Sequence, residues 1–209
     1  MPDLTSFGLF FSAAFLLAIT PGPGIMYVLT RSLKGGRGEG YASSFGTAIG
    51  GMFHVVAAGL GLSAILATSA TAFTIIKFAG AAYLIYLGFH TIFAPDEIPE
   101  DANDDYTTDF KQVLLQGAIT ELLNPKTAIF FLAFIPQFIN PDSVVVTQFL
   151  LLGTISVMMN TTADIVVATM AGSIGKQLKQ NAKLRQGQRI FTGTGLIALG
   201  AYVAFSGDH

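Results

Sequence analysis

Apolar residues come in long blocks rather than in alternation. Residues 4–30, 40–76, 78–95, 143–163 and 190–207 contain no Asp, Glu, Lys or Arg. A helix crossing the hydrocarbon core needs about 17–25 largely apolar residues, and every block reaches that length. The pattern predicts six spans, at 5–30, 42–68, 72–93, 112–138, 144–172 and 189–206. Block 40–76 is too long for one crossing, so a short turn is expected at Thr68, Ser69, Ala70 and Thr71. Glu121 and Lys126 interrupt the fourth span, yet the apolar run 128–138 and the lead-in 111–118 sustain it. The expected class is an all-α integral membrane protein.

Composition sharpens this. Charged residues are 11% of the 209, against roughly 25% in soluble domains, so the chain could not cover a water-exposed surface. Disorder is excluded, since it requires low hydrophobicity and high charge. With no Cys there is no disulfide, thiolate metal site or cysteine nucleophile. The three His are far apart, so no metal and no cofactor are expected. No basic face suggests nucleic acid. Met1 to Ser6 carries no positive charge, so the first span is expected to remain rather than act as a cleaved signal.

Loop charge orients the spans. The loops after spans one, three and five hold Arg31, Lys34, Arg37, Lys111, Lys176, Lys179, Lys183, Arg185 and Arg189, whereas the opposite side holds only Lys77. Positive residues stay inside, so both termini are expected outside the cytoplasm. The seven acids between Asp96 and Asp109 mark a hydrated cytoplasmic linker. It joins half-repeats of about 1–95 and 110–209 within one transmembrane domain. Three spans per half give the halves opposite orientation, a 3+3 inverted repeat. An offset of 104 places Thr20-Pro21 on Asn124-Pro125.

Both halves open with a helix interrupted by proline. Thr20-Pro21-Gly22-Pro23-Gly24 should unwind the first span, since proline removes a donor and crowds the preceding turn. Thr20 resembles an N-cap there, with Pro21 at the first helical position. Asn124-Pro125 repeats the arrangement in the fourth span, with Lys126 in the first turn. Paired Gly/Pro interruptions in corresponding spans point to a transporter's binding site. A packing kink is the simpler alternative. Lys126 opposes its own helix dipole and costs about 2.5–3.5 kcal/mol at the bilayer centre. A substrate carboxylate would relieve both penalties. A permanent pair with Glu121 or Asp164 would do so too.

Glu121 and Asp164 are the intramembrane acids. A carboxyl moved between wet and dry surroundings gains and loses its proton, so both are candidates for proton coupling. Asp164 follows the polar run Asn160-Thr161-Thr162. For Glu121 a structural ion pair stays equally open. Gly46, Gly50 and His54 read as helix packing. Residues 35–40 (GGRGEG) read as a flexible turn, lacking the ending of a phosphate loop. No catalytic motif is present.

At these residues the chain resembles the LysE/RhtB family of amino-acid exporters. The first-span residues 20–24 look like its PGP motif, and Gly46, Gly50 and His54 like its second-span pattern. Residues 124–131, continuing to Pro136-Gln137-Phe138, are similar to its NPK…PQF signature. Asp164 with Ala171-Gly172, then Arg189, Gly193 and Gly200, extend the likeness along nearly the whole chain. Glu121 lies outside that pattern. The resemblance implies a bacterial inner-membrane exporter of amino acids, driven by the proton gradient. Neutral substrates of the threonine, homoserine or leucine type are implied. A homodimer is plausible for so small a bundle with glycine-rich faces. Two alternatives stay open: a carrier of another solute such as a cation, and a membrane protein without transport activity.

Overall fold

The computed structural model describes residues 4–68, 70–93, 109–140 and 143–205. Among them every regular element is helical: α1 (Leu4–Ile19), α2 (Pro23–Thr68), α3 (Ala70–Phe93), α4 (Phe110–Leu122), α5 (Pro125–Ile129), α6 (Val145–Gln180) and α7 (Ala182–Phe205). A π-helical turn, Phe130–Phe134, and a 3₁₀ turn, Ile135–Phe138, follow α5. Pro136 offers Leu132 O no donor, and the helix loosens there; the Ile135 N–H bonds Phe130 O, five residues back.

Within these residues, Pro23–Gly61 and Val145–Ala171 are long and apolar enough to cross a membrane. The pair Phe110–Leu122 and Pro125–Phe138 reaches that length and apolarity only when taken together, bent by 48° at the break. Phe7–Ile19 and Ala81–Phe93 are apolar but shorter. Large apolar side chains face outward, among them Phe15, Phe53, Phe78, Phe93 and Phe205. Only a hydrocarbon solvent makes that arrangement favourable.

The breaks fall where the prolines predict, with one correction. Thr20 is not an N-cap. It closes α1, its N–H bonding Leu16 O at 3.0 Å and its hydroxyl the same oxygen. The next helix starts at Pro23, and its first bond runs from Met26 N to Gly22 O at 3.0 Å. Pro23, rather than Pro21, therefore corresponds to Pro125. The second break is as expected: Asn124 caps α5 by accepting from Lys126 N, with Pro125 in the first turn.

Two expected loops are helical instead. Residues 31–41 continue α2, interrupted only at Gly36 with φ 72° and ψ −170°, a conformation natural to glycine. Residues 172–189 lie in α6 and α7, which meet at Asn181; its side chain accepts from Leu184 N. The turn expected at Thr68 to Thr71 centres on Ser69, and the acidic linker on 94–108; both positions lie outside the described residues, whereas Asp109 caps α4.

Close helix contacts use glycine. A Cβ on Gly46 would strike Leu114 O, and one on Gly50 would come within 2.5 Å of Ala118 O, so α2 and α4 approach backbone to backbone. Gly88, Gly193 and Gly200 do the same between α3 and α7. The glycine-rich faces that suggest a homodimer are thus occupied within the chain. Near the Gly36 kink, Tyr27 OH donates to Val113 O (2.8 Å), and Arg31 pairs with Glu39 (3.5 Å) and donates to Gln116. A phenylalanine wall closes the core behind the second break: Phe130, Phe134 and Phe138 stack at 5.0 and 4.9 Å, and Phe10 of α1 meets Phe138 at 5.6 Å.

Candidate functional site

The two breaks converge on Lys126, which is 7% exposed. Its Nζ donates to Leu17 O at 3.2 Å and Thr20 O at 3.0 Å. The prolines explain why those oxygens are available. In a continuous helix Leu17 O would accept from residue 21, a proline without an N–H, and it keeps only the shorter-range bond from Thr20 N at 3.2 Å; Thr20 O lies at the break, before the next helix starts at Pro23. The ammonium donates to both oxygens and sits at the negative end of α1, where the helix dipole favours it. The alternative of a direct ion pair between Lys126 and Glu121 or Asp164 is not seen among the described residues. Gly22 makes room for it: a Cβ there would lie 3.0 Å from Nζ.

Glu121 ends α4 and is 5% exposed. Its Oε1 accepts from Thr127 Oγ1 at 2.6 Å and its Oε2 from Asn124 Nδ2 at 3.0 Å. Oε2 also presses on Gly24, where a Cβ would come within 2.5 Å. His54 does more than pack: its Nε2 lies 3.0 Å from Glu121 O, and its ring stacks on Phe131. Asp164, 6% exposed, accepts from Thr47 Oγ1 at 2.8 Å, and that hydroxyl also lies 2.9 Å from Ser44 O.

Gly24, Thr47, Glu121, Asn124, Lys126 and Asp164 line one cavity of about 20 Å³. Thr20, Pro21, Gly22 and Pro23 do not line it; Thr20 and Gly22 reach the site through Lys126, and Pro21 lines a separate apolar cavity. Asn160 also lines the first cavity, and among the described residues its amide has no hydrogen-bond partner. Gly46 and Gly50 lie outside, on the packing seam that holds Glu121 in place. Sequence reasoning missed Thr47. Its signal was a hydroxyl beside Gly46 in an apolar run, where a polar side chain needs a partner.

Lipid-facing helices, two of them broken around a buried cation and two buried acids, define a membrane transporter. Residues 15–207 match the LysE type translocator family, and the chain belongs to that family: a multi-pass membrane transporter, not an enzyme. It is 33% identical over 190 residues to a homoserine/homoserine lactone efflux protein of Salmonella typhimurium, covering 90% of this chain and 91% of that one. It is 31% identical over 201 residues to the uncharacterized membrane protein YrhP of Bacillus subtilis (92% and 95%). A leucine efflux protein of an Enterobacter species is 27% identical over 194 residues (92% and 89%). No solved structure matches the chain.

Proposed function

We propose that the chain exports neutral amino acids from the cytoplasm in exchange for protons. One observation carries this: Lys126, Glu121 and Asp164 line a single cavity. One cation against two carboxyls leaves an excess of one negative charge when all are ionised. A proton neutralises Asp164, and the ammonium of a zwitterionic substrate, whose own carboxylate meets Lys126, pairs with the same Asp164 carboxylate. Because either one suffices, the two compete, and competition for one site is what antiport requires. The substrate ammonium meets Asp164 and the free Asn160 amide carbonyl. Its carboxylate meets Lys126, where the breaks at residues 20–24 and 124–125 converge. The relatives named for homoserine and leucine efflux support this substrate class.

Thr47 supplies a proton-sensitive link. Its single hydroxyl hydrogen can go to Asp164 Oδ2 or to Ser44 O. A protonated Asp164 donates to Thr47, which turns to Ser44; an ionised Asp164 takes the hydrogen back. A cavity of about 20 Å³ holds about one water and no amino acid. Substrate therefore enters as the halves 1–95 and 110–209 part, by alternating access within a single transport domain. Six spans with the basic segments in the cytoplasm place both termini outside the inner membrane.

Counter-flow of labelled homoserine, leucine and threonine in proteoliposomes tests this. Accumulation of any one against excess unlabelled substrate is expected. Exchange of none, or exchange of metal cations instead, removes amino-acid export.

A further inference from the structure

Glu121 is held in an unusual way for a buried acid. Its two oxygens take separate side-chain donors, Thr127 Oγ1 and Asn124 Nδ2, and those residues are 1% and 2% exposed. Asn124 cannot turn its amide around, because its Oδ1 is committed to Lys126 N at 3.1 Å. Its Nδ2 must then point at an acceptor. Oε2 fills the space that Gly24 leaves by having no side chain. Lys126, whose ammonium already holds Leu17 O and Thr20 O, makes no direct pair with this carboxylate. The remaining cavity is too small for a substrate.

Two buried donors set apart for the two oxygens of one group, with a lysine close by, recognise a carboxylate. We infer that Glu121 is a tethered stand-in for the substrate: its carboxylate fills this cradle in the empty transporter, and an incoming amino acid's carboxylate displaces it onto the same Thr127 and Asn124 donors. The identity of the displacing ligand rests on the export proposed above; the cradle's taste for carboxylates does not. An internal competitor weakens substrate binding. It also keeps two buried donors satisfied while the carrier is unloaded, when leaving them bare would be costly.

Purified Glu121→Ala and Glu121→Gln are compared with wild type by thermal stability and by direct binding. Acetate is the carboxylate probe, with chloride as control. In Glu121→Ala the cradle is vacated, and millimolar acetate should raise Tm where chloride does not; wild type should respond to neither. In Glu121→Gln the side chain keeps its bond from Thr127 but faces Asn124 Nδ2 with a second donor. Its grip loosens, and homoserine or leucine should bind at least ~10-fold more tightly while exchange slows. Equal acetate responses in Glu121→Ala and wild type overturn the inference. So does unchanged amino-acid affinity in Glu121→Gln, which keeps the idea falsifiable if the alanine variant fails to fold. Wild-type counter-flow is run in parallel: if it succeeds while both arms fail, export stands and the stand-in falls. If it fails while acetate stabilises only Glu121→Ala, the cradle stands and its ligand is a different carboxylate.

Discussion

Lys126 connects two stretches of backbone more than one hundred residues apart. Its acceptors lie at the proline break, so removing the amine strands Thr20 O in a dry interior and leaves Leu17 O with only the bond from Thr20 N. A stranded carbonyl costs about 1–3 kcal/mol. Lys126→Met should therefore abolish counter-flow and also lower Tm in detergent; a variant that transports normally would remove the lysine from the site. Gly22 and Gly24 offer a graded pair. Gly24→Ala drives a methyl to 2.5 Å from Glu121 Oε2, whereas Gly22→Ala meets the flexible end of Lys126 at 3.0 Å. Transport should drop by more than ~10-fold in the first and less in the second, since a fixed, doubly bonded carboxylate yields less than a lysine tip. The sequence announces that Lys126 needs a negative partner. It also contains part of the partner's identity, because Pro21 takes the usual helical donor from Leu17 O. What it lacks is the three-dimensional path that brings residue 17 beside residue 126.

Among elements, the seam between α2 and α4 sets the position of Glu121. Gly46 and Gly50 let the two backbones touch, so Gly46→Val should separate them and cost about 1–3 kcal/mol, read as a fall in Tm. A compensating gain would mean the seam is not tight. Element identity was legible because apolar blocks of membrane length leave little choice but helix, since hydrocarbon offers the backbone no other partner. Element ends were less legible. Residues 31–41 and 172–189 are polar enough to suggest loops, yet they continue as helix, because Lys, Arg and Gln sustain helices well. Only Gly36 and Asn181 interrupt them, one by conformation and one by capping. The restart at Pro23 rather than Pro21 was equally hidden: with two prolines two residues apart, either can open a helix.

For the molecule as a whole, competition for the Asp164 carboxylate decides what can move. Asp164→Asn removes the carboxyl bonded to Thr47 and should leave exchange between identical amino-acid pools intact while abolishing acceleration by an inward proton gradient. Unchanged gradient dependence would assign coupling elsewhere. The distribution of basic residues makes a separate prediction. Single cysteines introduced at Lys34 or Lys183 should react with an impermeant maleimide in inside-out vesicles and not in intact spheroplasts. The opposite pattern would invert the proposed topology. Class was readable from bulk composition and counts, which survive errors at single positions. The cluster was readable only in part: Lys126, Glu121 and Asp164 stand out as charges in apolar runs and Asn160 belongs to the polar run before Asp164, but Thr47 is an ordinary polar residue until packing brings it to the cavity.

The bond from Lys126 to Leu17 O has an evolutionary corollary. Its acceptor is main chain, so no exchange of the side chain at position 17 can erase it; only restoring an amide hydrogen at position 21 competes for it. Pro21 and Lys126 are thus bound to one another as a heritable pair. Pro21→Ala alone should leave the lysine short of one acceptor, and Lys126→Met should be better tolerated on the Pro21→Ala background than on the native one.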